Sequence, residues 1–105
     1  MTKAERIYKD TRYECMKHIE YWGLGRDGNG KIIGFNSVAV KDHERVSTRT
    51  INDLRKWLEA DRKQIMRWLE MGIINGDEYA TRLETAAMVE QTINNTMDWI
   101  AEGRA

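Results

Sequence analysis

A chain of 105 residues, 41% of them hydrophobic and 32% charged, has material for one modest core and is too apolar to stay disordered. Basic and acidic residues balance at 17 each. No run of about 18 apolar residues marks a membrane span. A single cysteine, Cys15, excludes an internal disulfide framework. The start Met1-Thr2-Lys3-Ala4-Glu5-Arg6 carries early charge with no apolar stretch behind it. Neither a secretory signal nor an anchor is expected, and the cytoplasm is the expected location.

Thr2 and Glu5 have the spacing of a capping box, which predicts a first helix over about 3–22. Ile7, Thr11, Cys15, Ile19 and Trp22 recur at helical spacing, with Tyr8 and Met16 widening the stripe. The glycine-rich run 23–30 ends that helix and supplies a turn. Lys31 to Val40, the polar break Lys41-Asp42-His43-Glu44, and Arg45 to Thr50 follow. Their β-branched residues read as an antiparallel hairpin, or as a three-stranded meander if residues 21–26 pair across the turn. The β region is therefore placed at about 21–50.

A second helix is predicted over about 51–71, capped by Thr50 with Asp53 and striped by Ile51, Leu54, Leu58, Ile65 and Leu69, with Trp57 and Trp68 at its flanks. Gly72 to Glu78 reads as a tight connection with a glycine C-cap. A third helix over about 78–102 has Ala80, Leu83, Ala87, Ile93, Met97 and Ile100 inward, and Tyr79, Met88, Val89 and Trp99 partly round the side. The expected fold is one α+β domain over 1–105, mainly α: a helix, a small hairpin or meander, then a long αα-hairpin. Two helices of about 20 residues are each roughly 30 Å long. Their tryptophans and methionines exceed what a two-helix layer covers, so either the first helix or a second subunit must cover the remainder, and a homo-oligomer is expected.

Charge is unevenly placed. Residues 41–68 hold eight cations against five acids, whereas residues 70–102 hold seven acids against Arg82 alone. This asymmetry suits pairing of the two segments within or between subunits.

Most catalytic patterns fail on context. Gly23 to Gly28 matches G-x-G-x-x-G, but a helix precedes it and a strand is predicted after it, the reverse of a dinucleotide site. Asp27 and Asn29 open like a calcium loop, but Lys31 stands at the next ligand position and Val38 where the bidentate Glu belongs. Cys15, His18 and His43 would need every Cys and His in the chain for a zinc site. Nothing links Ser37, Ser47 or Cys15 to a histidine base. No metal, no cofactor and no enzymatic activity are expected.

The arginines carry more. Arg45 and Arg49 fall on one face of the predicted strand, and Arg55 continues onto the next helix. Guanidinium forks suit phosphate, and Phe35 or Trp57 offers a ring on which a base stacks. Phe35, Arg45, Arg49, Arg55 and Trp57 are the candidate ligand-binding residues; the bland alternative is a solvated surface. Neutral overall charge argues against long or sequence-specific nucleic acid.

The segments Gly34-Phe35-Asn36-Ser37-Val38, Ser47-Thr48-Arg49-Thr50-Ile51-Asn52-Asp53 and Gly72-Ile73-Ile74-Asn75-Gly76-Asp77-Glu78-Tyr79 give a layout that resembles small bacteriophage and prophage anti-defence proteins. The resemblance covers most of the chain in size and layout. It implies either an oligomeric sponge of the anti-Thoeris or anti-CBASS kind, sequestering a nucleotide-derived immune signal, or an anti-CRISPR protein that binds an effector nuclease directly. A host-cell cytoplasmic partner follows in both cases: a nucleotide-like small molecule or a bacterial defence protein.

Overall fold

The computed structural model describes residues 2–22, 25–26, 28–29, 32–33 and 46–103. Three helices dominate: α1 (Lys3–Trp22), α2 (Thr48–Glu70) and α3 (Gly76–Ala101). The fold is all-α, which corrects the α+β expectation. Between α1 and α2, Gly25–Arg26 and Ile32–Ile33 share a two-residue antiparallel pairing, too short to form a layer. Residues 34–45 of the expected hairpin lie outside the described residues.

Residues 46–50, the end of the expected β region, depart for a local reason. Ser47 is extended and accepts a hydrogen bond from the Thr50 backbone N–H at 3.2 Å, so the cap sits three residues before the expected Thr50 and α2 begins at Thr48. Thr48, Arg49 and Thr50 are its first turn, where β propensity yields to a satisfied N-cap. At the start of α1, the Glu5 N–H donates to Thr2 Oγ1 at 3.1 Å.

Gly72 ends α2 with φ +73°. The Gly72 N–H bonds the Leu69 carbonyl at 3.1 Å and the Ile73 N–H that of Trp68 at 2.9 Å, the two bonds of a Schellman motif. Asn75 then opens α3 in a reciprocal capping box with Glu78.

Packing sets the order of the helices. Tyr8 and Arg12 of α1 meet Asp61 of α2, while Cys15 meets Thr92 of α3. Lys3 and Ala4 lie with Arg49 to Trp57 at the start of α2, and Ile19 and Glu20 with Asp77 to Thr85 at the start of α3, so α1 runs parallel to α2 and antiparallel to α3, touching both. The core draws Ile7, Tyr8 and Cys15 from α1, Ile51, Leu54, Leu58 and Ile65 from α2, and Met88, Val89 and Ile93 from α3. Here the first helix supplies the third layer within one chain. Trp57, Trp68 and Trp99 are half-buried and Met88 is fully buried, but Met66 and Met71 are exposed.

The inner face of α3 differs in part from the expected one. Of the expected inner residues Ile93 is buried and Ala87, Met97 and Ile100 are partly buried against the core, but Ala80 is exposed and Leu83 only partly buried, whereas Thr85, Thr92 and Thr96 lie inside. Each hydroxyl donates to the carbonyl four residues back, at 3.1, 2.8 and 2.9 Å. That bond removes the cost of burying an unpaired hydroxyl. With the hydroxyls satisfied, α3 turns this stripe, together with Met88 and Val89, toward the two helices it faces.

Candidate functional site

A cleft of about 440 Å³ opens where α1 and α2 begin, lined by Thr2 just before α1, by Lys3 and Ala4 from α1 and by Arg49, Thr50, Asp53, Lys56 and Trp57 from α2. Because the helices are parallel, both N-terminal ends reach this one place, and both carry the positive pole of a helix dipole. Arg49, Asp53 and Lys56 fall at i, i+4 and i+7, so α2 turns them along one face. Trp57 packs partly on the core and also lines the cleft.

Electrostatics at the cleft favour an anion. Lys56 Nζ lies 3.9 Å from Asp53 Oδ1, a loose pair with an exposed lysine that leaves the ammonium open to a second partner. Arg49 is exposed and forms no ion pair among the described residues. Lys3, Arg49, Lys56 and one indole thus line the cleft together with the Asp53 carboxylate, Lys3 also having an interaction of its own.

Of the five residues singled out from sequence, Arg49 and Trp57 are brought together. Arg55 is not: it turns to α3, where its Nη2 donates to Asn94 Oδ1 at 3.2 Å. Phe35 and Arg45 lie outside the described residues. Lys56 joins the cleft on a spacing the sequence shows, seven residues after Arg49. Lys3 had no such signal, since only the packing of α1 beside α2 brings it there.

The expected pairing of basic and acidic segments occurs in part within the chain, as Arg62 forms an ion pair with Glu90 between α2 and α3. A second cleft of about 340 Å³ lies between the end of α1 and the start of α3, with Met16, Ile19, Thr81 and Thr85 in its lining. Its two arginines are engaged: Arg12 pairs with Asp61 at 3.3 Å, and the Arg82 guanidinium sits 5.2 Å from the Trp68 ring centroid. Among the described residues no group of three or more His, Cys, Asp or Glu converges as a metal site, and no helix is long and apolar enough to cross a membrane.

Comparison of the chain with protein-family models, with curated proteins and with solved structures finds no match.

Proposed function

We propose that this is a non-enzymatic binding protein that sequesters a phosphate-bearing, nucleotide-like molecule in the cleft between α1 and α2, acting as a homo-oligomer in the manner of a phage anti-defence sponge. One observation carries the reading: Arg49 and Trp57 line the same cleft, joined there by Lys3 and Lys56. Guanidinium and ammonium groups complement phosphate oxygens, and the indole offers a face or edge for a base. No nucleophile and base are paired there, so the chemistry available is capture.

The alternative is an anti-CRISPR protein that uses acidic α3 against an effector nuclease. It draws on the exposed Glu84 and Asp98. It draws less on Glu90, which is engaged by Arg62.

Calorimetry and thermal shift with cyclic nucleotides, cyclic ADP-ribose isomers and inorganic phosphate test the first reading. Binding of at least one nucleotide, more tightly than phosphate alone, is expected. Absence of binding by all of them overturns it, and co-purification with a CRISPR effector would move the function to the alternative.

A further inference from the structure

Resting on the nucleotide capture proposed above, we infer that the cleft between α1 and α2 takes a ribonucleoside 5′-monophosphate and that Asp53 selects its sugar. A carboxylate has no use in a cleft built for phosphate alone, because it repels the ligand. Asp53 nevertheless lines this cleft together with Arg49 and Trp57 of the same helix. Its partner among the described residues is the Lys56 ammonium at 3.9 Å, beyond hydrogen-bond length. The Asp53 side chain is 42% exposed, so its oxygens are open to a donor from a ligand. The adjacent 2′ and 3′ hydroxyls of ribose are such donors, and one carboxylate can accept from both.

Spacing along α2 sets the direction of the ligand. Arg49, Asp53 and Trp57 follow one another in four-residue steps, each roughly 6 Å along the helix axis at about 1.5 Å per residue. A nucleoside 5′-phosphate carries phosphate, sugar and base in that order and at comparable separations. Arg49 stands in the first turn of α2, where the positive pole of the helix adds to its charge, so the phosphate belongs at this end. Trp57, half-buried further along, offers its ring to the base. Charge sets the class of phosphate. Among the described lining residues, the cations Lys3, Arg49 and Lys56 outnumber the Asp53 carboxylate by two. A phosphate monoester, at about −1.5 to −2 near neutral pH, matches that surplus. A 3′,5′-cyclic nucleotide has a single negative charge and no free 3′ hydroxyl, so it satisfies neither feature fully.

Calorimetric titration of the full chain tests this with adenosine and guanosine 5′-monophosphates, their 2′,3′-dideoxy counterparts, the 3′,5′-cyclic monophosphates and inorganic phosphate. The ribonucleotides should bind at least about tenfold more tightly than the dideoxy and cyclic forms, as loss of a charge-assisted hydrogen bond implies. Asp53→Ala should abolish the preference for ribose over dideoxyribose and tighten inorganic phosphate, with a thermal melt as the folding control. A carboxylate that served only to hold Lys56 would behave differently: its removal would weaken all these ligands together and leave the sugar preference intact. That result overturns the sugar assignment. Nucleotide binding without a sugar preference, or binding confined to cyclic forms, overturns it too, while the capture of a nucleotide stands. Absence of binding by every nucleotide, the cyclic ADP-ribose isomers included, overturns both.

Discussion

Tyr8 donates its phenolic hydrogen to Asp61 Oδ2 at 2.8 Å, across 53 residues of sequence, and Arg12 reaches the same oxygen at 3.3 Å. This partly buried knot fixes the register of α1 along α2, and through that register it brings Lys3 beside Arg49.

Tyr8→Phe keeps the ring and removes the bond. Urea unfolding should show a loss of about 1–2 kcal/mol near neutral pH. Burial, then the Asp61 charge and hydrogen bond, push the Tyr8 phenol well above its ordinary 10.0. Below that value both states keep the proton and this contribution is fully present. As pH rises past it, the unfolded chain releases a proton the folded chain retains, so stability falls. The difference between wild type and Tyr8→Phe should therefore shrink above about pH 10. A difference constant up to pH 11 would contradict this account.

Cys15 is buried, and burial pushes its thiol from 9.0 up to about 12, against a smaller opposing pull from Thr92. At pH 8 its thiolate fraction should be about a thousandfold below that of an ordinary thiol. A disulfide reagent should label it slowly in the native protein and rapidly in urea. The linked stability is present below pH 9.0 and declines as pH rises toward about 12. Native labelling as fast as in urea would show that Cys15 is accessible.

Gly72 and Gly76 separate backbone strain from packing. Neither would crowd a Cβ, but only Gly72 has positive φ, at +73°. Gly72→Ala should cost about 1 kcal/mol, with Gly72→Asn milder. Gly76→Ala, in the first turn of α3, should be neutral or stabilising by up to about 1 kcal/mol. Thermal melts that rank the two alanine variants the other way would contradict the geometry of the turn.

Arg49 and Arg55 make a matched pair on one helix. Arg49→Ala should weaken nucleotide binding by about 1.5–3 kcal/mol and leave the melting temperature unchanged, as expected for a charge-assisted bond to phosphate. Arg55→Ala gives up the bond to Asn94 and should cost no more than about 1 kcal/mol of stability, with binding unaltered. Equal loss of binding in both would remove the case for the cleft.

Legibility followed the range of each signal. The three helices, the Thr2 cap, the Ile51, Leu54, Leu58 and Ile65 stripe and the glycine stop at Gly72 depend on residues within about four positions of each other, and these were readable in advance. The β-branched run before Ile51 was misread because Ser47 offered an earlier cap that propensity does not weigh. On α3, Ile93 is buried as its spacing implies, but Thr85, Thr92 and Thr96 escape a reading by hydropathy because each satisfies its own hydroxyl within the helix. Of the candidate ligand-binding residues, Arg49 and Trp57 line one cleft, a juxtaposition their spacing of eight on one helix allows, whereas Arg55 turns to the neighbouring helix through a contact no local pattern shows.

The sequence by itself therefore determined that three helices form, where α1 starts and about where α2 stops, and which residues of α1 and α2 are apolar enough to be buried, because caps and periodicity are local chemistry. Only the tertiary structure decided that α1 lies parallel to α2 and antiparallel to α3, that Thr85, Thr92 and Thr96 turn inward, and that Lys3 meets Arg49 and Trp57 at one cleft. Those outcomes depend on which helix faces which, and that choice is made by burial and by contacts such as Tyr8 to Asp61 between residues far apart in the chain.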